Sequence, residues 1–372
     1  MYIVLILIAL YGAYLAFDAH RTRAARPKIA HIVHVNGIRG KSSVSRLIHA
    51  GLTAGGVRSF CKVTGTDPMV LLPDGTEKKL FRPGRANIRE QAKIMRMAAV
   101  EGADVLVIEC MAITPEMQHA AQHKLLRADI GVLTNVRRDH TDVMGETLED
   151  ICISLMNASP ENGVLFTAEE NFFPMIRAEA EKAGTRAVQA LPGDADYGFD
   201  FAENIALALS VCEHLGVDRA TALSGMKNYS RDPYALSVHR VGENVFINGL
   251  SINDPASTVV VYSRMKERYG LNGRLVMIIN NRADRGCRTQ DMLRVCDELK
   301  PDEVILFGAS QPYMRAELKK ICPDTQIRGM KKASELDFSQ SPAGQVFFAV
   351  GNLKGAGRDL LEMAGKGEAG YV

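Results

Sequence analysis

The run His31-Ile32-Val33-His34-Val35-Asn36-Gly37-Ile38-Arg39-Gly40-Lys41-Ser42-Ser43-Val44-Ser45 begins with β-type residues, passes two glycines and enters Lys-Ser-Ser, where a helical pattern starts. That is the build of a phosphate-binding loop. Glycines let the chain turn tightly, so that successive backbone N–H groups face an anion at the N-terminus of the next helix. Lys41 is placed to reach the β/γ-phosphates of a nucleotide, and the Ser42 hydroxyl to ligate Mg2+. The spacing is not the standard one: the usual loop has a glycine five residues before the Gly-Lys pair, and that position is Val35. Gly37-x-x-Gly40-Lys41-Ser42 is a shorter loop. The stretch expected to touch a nucleotide is Asn36, Gly37, Arg39, Gly40, Lys41, Ser42 and Ser43.

Around this loop, 372 residues make two domains with room for an appendage. An apolar fraction of 47% supports buried cores, and a net charge of +2 argues against a nucleic-acid binder, which carries a strong basic excess or stripe. Seven scattered cysteines without a C-x-x-C pair argue against a zinc ribbon or a disulfide framework and fit a reducing compartment.

The N-terminus breaks this profile. Tyr2 to Phe17 carries no charge, and its 16 residues would span roughly 24 Å as a helix. That is short of a hydrocarbon core of about 30 Å, a gap that local thinning and interfacial tyrosines cover. Basic residues come after the run (Arg21, Arg23, Arg26, Lys28), whereas a cleaved signal has them in front. By the positive-inside rule the downstream domains then stay in the cytoplasm. The reading is a single-pass anchor over residues 1–20, with a basic linker at Ala24–Lys28.

Downstream, strands and helices alternate, as in a mostly parallel α/β sheet. Helices are expected at Ser42–Ala54, Arg85–Glu101, Pro115–Arg127, Leu148–Asn157 and Phe201–Leu215, the last capped by Asp200. Buried strands are expected at Ile32–Val35, Val57–Val63, Asp104–Cys110, Asp129–Asn135 and Gly163–Thr167, with a hairpin over Leu71–Leu80. The strand Asp104–Cys110 sets Glu109 at its carboxyl end, where doubly wound sheets bind ligands. Ser230-Arg231-Asp232-Pro233 marks a boundary between a P-loop central domain, 29–232, and a smaller Rossmann-like domain, 233–372.

In order along the chain stand the loop Asn36–Ser43, Glu109, Thr134-Asn135 with Asp139-His140-Thr141-Asp142, His239-Arg240 and Asn253-Asp254-Pro255-Ala256. This series resembles that of the Mur ligase superfamily from about Ile29 to the C-terminus. Within it, the chain is similar to the membrane-anchored ligase subunit of poly-γ-glutamate synthases. The shorter loop, the anchor, Lys62-Val63-Thr64-Gly65-Thr66 and Glu109-Cys110-Met111-Ala112-Ile113 carry that narrower likeness. The resemblance implies an amide ligase that uses ATP and Mg2+ to phosphorylate a glutamate carboxylate, which the amine of another glutamate then attacks. Lys41, Glu109, His140 and Arg240 are the implied catalytic residues, with Ser42, Glu109 and His140 at metals. Asn204 would approach the adenine, Arg240 the phosphates and Asp254 the ribose side. The implied partners are glutamate and growing poly-γ-glutamate, small integral-membrane subunits and the membrane, with self-association left open.

Two departures from the superfamily pattern stand out. No lysine lies between Lys124 and Lys182, so no carbamate is expected to support a second metal. Phe201 occupies the place of the first asparagine of the Asn-x-x-Asn pair. His119 and His123, at i and i+4, lack the third ligand of a metal pair and read as a polar helix face. Cys110 reads as packing. Arg282, Arg285 and Arg288 form either a clamp for an acidic chain or a solvated loop. Arg85, Arg89, Arg137 and Arg138 pose the same choice, with Arg138 favoured beside Asp139-His140. The competing functions are a ligase acting on another acceptor, such as a folate or peptide, and a membrane-tethered ATPase that energises polymer export.

Overall fold

The computed structural model describes residues 2–65, 67–82, 84, 86–195, 197–198, 200–252, 254–283, 286–338, 340–365 and 368–370. Thr66, Arg85, Asn253 and Arg285, each singled out above, lie outside the described residues. The chain divides into two compact units, Met1–Asp232 and Pro233–Val372.

The strands of the first unit are β1 His31–Asn36, β2 Ser59–Val63, β3 Met69–Leu71, β4 Glu77–Lys79, β5 Val105–Glu109, β6 Ile130–Leu133, β7 Val164–Thr167 and β8 Arg186–Gln189. They form one sheet in the order β4-β3-β2-β5-β1-β6-β7-β8. Pairing is parallel from β2 through β8 and antiparallel only in the β2-β3-β4 meander. β5 is buried along its whole length and β1 from Ile32 onward, as parallel strands covered on both faces must be. Because β1 lies between β5 and β6, three carboxyl ends open side by side. The register sets Val35 level with Glu109 and Asn36 level with Leu133. The helix after the loop, α2 (Lys41–Ala54), buries Val44, Leu47, Ile48 and Leu52, the i, i+3, i+4 stripe of a core-facing helix.

Several expectations are revised. The N-terminal helix α1 runs unbroken from Tyr2 to Ala25, 24 residues, before a short 3-10 turn at Arg26–Lys28. The residues read as linker at Ala24 therefore continue the helix, since nothing breaks it before Pro27. At a rise of 1.5 Å per residue it is about 36 Å long. Its apolar window has a mean hydropathy of 2.0 and is not buried, so it is long and apolar enough to cross a membrane. Its base is fixed to the helix α3 (Arg89–Val100): Asp18 pairs with Arg96 at 3.0 Å and Arg89 at 3.4 Å, and Arg96 donates to Thr22 Oγ1 at 2.6 Å. Arg89 is thus an anchor contact. The segment Pro115–Leu126 begins as an α-helix and continues from Ala120 as a π-helix. Asp200 does not occupy the cap of helix Ala202–His214; Phe201 does, while Asp200 Oδ1 accepts from the Phe201 N–H at 2.7 Å.

Two histidines lie inside this unit, His34 on β1 and His49 on α2. His34 Nδ1 meets Gln122 Oε1 at 2.9 Å, and its Nε2 is buried with no partner, so the neutral ring is the form that fits. Burial lowers both pKa values from 6.5 to about 4. The unfolded chain therefore takes up protons below pH 6.5 that the native chain refuses until about pH 4. Stability is lost as pH falls through that window, by about 2 kcal/mol per histidine at pH 5. The expected result is a thermal midpoint that drops between pH 7 and pH 5, and equal midpoints would contradict it.

The second unit has β9 Ser237–Val241, β10 Asn244–Asn248, β11 Arg274–Asn281, β12 Glu303–Gly308, β13 Gln326–Gly329, β14 Gln345–Gly351 and β15 Glu368–Gly370, ordered β13-β12-β11-β14-β10-β9-β15. Pairing is parallel from β13 to β10, with β9 antiparallel to both neighbours. Phe246, Phe338 and Phe347 meet edge to face in its core, with centroids 5.4 and 5.1 Å apart. At the carboxyl end of β11, Asn280 Nδ2 donates to Lys354 O at 2.9 Å and Asn352 Nδ2 to Asn280 O at 3.1 Å. Arg288 donates to Asn352 Oδ1 at 2.9 Å, which makes it part of this loop scaffold.

Candidate active site

The loop between β1 and α2 needs both glycines. Gly37 has φ +125° and Gly40 φ +80°, values that L side chains rarely adopt. A Cβ on Gly37 would overlap the Thr134 hydroxyl, and one on Gly40 would come 2.8 Å from Asn204 Oδ1. The loop is therefore clamped by two later segments. Just beyond β6, Thr134 Oγ1 donates to Arg39 O at 2.6 Å, Asn135 Nδ2 donates to the same carbonyl at 3.1 Å, and Asn135 Oδ1 accepts from Arg39 N at 3.0 Å. From helix Ala202–His214, Asn204 faces Gly40, its Nδ2 held by Asp200 Oδ1 at 3.0 Å. Asp200 also accepts the Tyr229 hydroxyl.

Lys41 folds back across the loop, its Nζ donating to Gly37 O at 2.6 Å and Ile38 O at 3.2 Å. Burial pushes its pKa below the ordinary lysine value, opposed by the nearby Glu109 carboxylate. Glu109, 3% exposed at the end of β5, accepts from Ser42 Oγ at 2.8 Å and from the Thr64 N–H at 2.6 Å, both on Oε2. Gln91 Nε2 holds the Glu109 backbone carbonyl at 3.1 Å. Across Gly65, Asp232 closes the same corner: a Cβ on Gly65 would come 2.7 Å from Asp232 Oδ2 and 3.6 Å from Ser42 Oγ. Ser43 lies in the first turn of α2, half-buried.

On the other flank, Arg39 pairs with Asp139 at 3.0 Å. Arg138, favoured in sequence for its place beside Asp139-His140, is exposed. His140 comes next, in the left-handed region at φ 49°, its Nε2 3.8 Å from Asp139 Oδ2 and its ring 43% exposed. Arg137 turns to Val136 O at 3.0 Å and to Glu169. Asn36, expected at the nucleotide, is turned inward: its Nδ2 donates to Gln118 Oε1 at 2.8 Å and Leu155 O at 3.1 Å. Among the described residues no three His, Cys, Asp or Glu gather into a metal-binding group, and the His119 and His123 rings meet at a 34° tilt with centroids 4.4 Å apart. Burial pushes the Cys110 thiol up to about 11, as suits packing.

Arg240 and Asp254 belong to the second unit. Arg240 is an exposed residue of β9 paired with Val245. Asp254 is buried and caps helix Pro255–Tyr269 through the Ser257 N–H at 2.8 Å.

Over 350 residues the chain is 34% identical to "PGA synthase CapB" of Bacillus subtilis (strain 168), covering 89% of each sequence. The chain belongs to the CapB family. A second relative, "Capsule biosynthesis protein CapB" of Bacillus anthracis, is 33% identical over 89% of this chain and 75% of its own. The family model described as "Poly-gamma-glutamate synthase CapB C-terminal domain" matches residues 233–366, and that described as "Mur ligase middle domain" matches residues 35–210. Among solved structures, E. coli FolC in complex with DHPP and ADP superposes with TM-score 0.71 at 14% identity, covering 94% of this chain and 92% of that one. Mycobacterium tuberculosis folylpolyglutamate synthase complexed with ADP and AMPPCP gives TM-score 0.66 at 16% identity, covering 92% and 95%. The fold is that of the Mur ligases and FolC, α/β with mostly parallel sheets.

In this CapB family member the loop, Glu109, Asn135, His140 and Asn204 all fall in the Mur-matched region, and Arg240 and Asp254 in the CapB-matched one. Sequence reasoning missed Asp232, read there only as part of a boundary string, and the Gln91, Gln118 and Gln122 amides that brace the strands. It also missed a buried ion pair between Lys62 and Glu90 at 3.1 Å, joined by Arg82 at 2.6 Å. A lysine inside a strand pattern was the one signal available for that pair.

Proposed function

We propose that this chain is an ATP-dependent amide ligase that joins glutamate units into poly-γ-glutamate. The observation that carries the reading is the corner where a phosphate-loop serine meets a buried strand-end carboxylate, Ser42 Oγ to Glu109 Oε2 at 2.8 Å. A buried carboxylate held, among the described residues, by a hydroxyl and a backbone N–H offers hard oxygen donors of the kind Mg2+ takes. Ser42 and Glu109 would hold that ion, which when bound neutralises charge on the phosphates. His140, in the Arg39–Asp139 string, is assigned to a second ion or its water.

The chain's own residues do the rest. The N–H groups of the loop and α2 face the phosphates, and Lys41 supplies a fixed positive charge where anions must meet. In the first step a glutamate carboxylate oxygen bonds to the γ-phosphorus of ATP while the bond to the β,γ-bridging oxygen breaks, giving an acyl phosphate and ADP. In the second the amine of another glutamate attacks the carbonyl carbon, phosphate leaves and the nitrogen loses a proton. Asn204, set against Gly40, lies on the side of the loop we assign to the base. The exposed helix α1 anchors the chain in a membrane, with the two units on the cytoplasmic side and its apolar surface available to small integral-membrane subunits.

The test is ADP release by the full chain in its membrane complex, with and without glutamate. Glutamate-dependent release is expected. Release indifferent to glutamate would contradict the assignment.

A further inference from the structure

Where α1 joins the first unit there is a cavity of about 560 Å³ that the ligase chemistry does not use. Its lining is cationic, with Arg23, Arg26, Arg89, Lys124 and Arg127 set around one carboxylate, Asp18. Asp18 is engaged by Arg89 and Arg96, and Arg26 by Asp129 at 3.1 Å. Among the described residues no carboxylate pairs with Arg23, Lys124 or Arg127. One wall is apolar, formed by Leu15, Ala92 and Leu125. At helical spacing the same face of α1 runs on from Leu15 through Tyr11, Ile8 and Val4, all exposed and apolar.

The level of this cavity is set by helix geometry. The uncharged run Tyr2–Phe17 covers roughly 24 Å of a hydrocarbon layer about 30 Å thick. The lining from Leu15 to Arg26 therefore stands at the inner edge of that layer and in the head groups below it. Arg21 lies over the Phe17 ring at 5.7 Å, an amphipathic pairing suited to the same depth.

We infer that this cavity binds the phosphate head group of an anionic phospholipid, with the acyl chains running up the Leu15 side of α1. Cations that no carboxylate pairs among the described residues, set beside an apolar wall, match a ligand with a charged head and an apolar tail, whereas an acidic polymer has no use for that wall. A lipid seated there would tie α1, α3 and the π-helical turn together. The inference rests on α1 crossing the membrane.

The experiment uses the full chain in detergent and reads lipid retained in native mass spectrometry, with phosphatidylglycerol or phosphatidylcholine of equal chain length. The wild type should retain one phosphatidylglycerol with at least about tenfold preference, since each basic residue near the head groups contributes several-fold. Arg23→Gln with Arg127→Gln should lose the preference. Arg23→Lys with Arg127→Lys should keep it, as should Lys93→Gln, an exposed α3 residue outside the cavity. Equal retention of both lipids, an unchanged preference in the double glutamine variant, or displacement of the lipid by inorganic phosphate or a glutamate oligomer would overturn the inference. Flotation with phosphatidylcholine vesicles separates the two readings. A chain that does not float refutes the anchor, and one that floats without lipid preference refutes the cavity alone.

Discussion

Lys41→Ala lowers glutamate-dependent ADP release by about 100- to 1000-fold, the usual cost of removing one preorganised charge from a transition state. The ammonium is buried, and its bonds to Gly37 O and Ile38 O hold it across the loop with no carboxylate in contact among the described residues. A buried amine held by two backbone carbonyls, with the nearby Glu109 carboxylate favouring its charged form against burial, is placed for an arriving anion rather than for stability. The fold should tolerate the change, because the loop keeps its clamps from Thr134 and Asn135. ADP release measured beside the thermal midpoint separates the outcomes. Lost turnover with an unchanged midpoint is expected, and retained turnover would mean that the nucleotide binds elsewhere.

Glu109→Gln tests the other half of the corner. The amide oxygen of glutamine can still accept from Ser42 and Thr64, so packing survives while the charge is gone. Turnover should fall by about 100-fold, and the Mg2+ concentration for half-maximal activity should rise, because an oxygen ligand has lost its charge. An unchanged Mg2+ dependence would make Glu109 a packed strand end and no more. Ser42→Ala, which removes the hydroxyl alone, should shift the Mg2+ dependence in the same direction by a smaller factor.

The parts that could be read from sequence are those set by short-range chemistry. The β1–loop–α2 unit was legible because glycine spacing, a β-type run and a helical stripe coincide within Ile32–Leu52. The position of Glu109 was legible because a wholly apolar strand ending in an acid leaves that acid at the carboxyl edge of the sheet. What stayed hidden depends on contacts across long separations. Asn36 carries the same donors whether it faces a nucleotide or Gln118, and only packing of the distant helix Leu148–Met156 decides that it faces inward. The turn that brings Asp139 to Arg39 likewise has no local signature. The helical continuation of α1 past Phe17 was obscured by a change in polarity that alters solvation but not helix propensity, and Asp18 pairs with arginines more than seventy residues away.

The central claim, that this phosphate loop activates a carboxylate and does not simply hydrolyse ATP, is tested most directly by trapping. The full chain in its membrane complex is incubated with ATP, Mg2+ and glutamate in the presence of hydroxylamine, which attacks an acyl phosphate to give a hydroxamate. The account predicts a glutamyl hydroxamate that requires ATP and disappears in Lys41→Ala. ADP release continuing with no hydroxamate would contradict it and leave a tethered ATPase in its place.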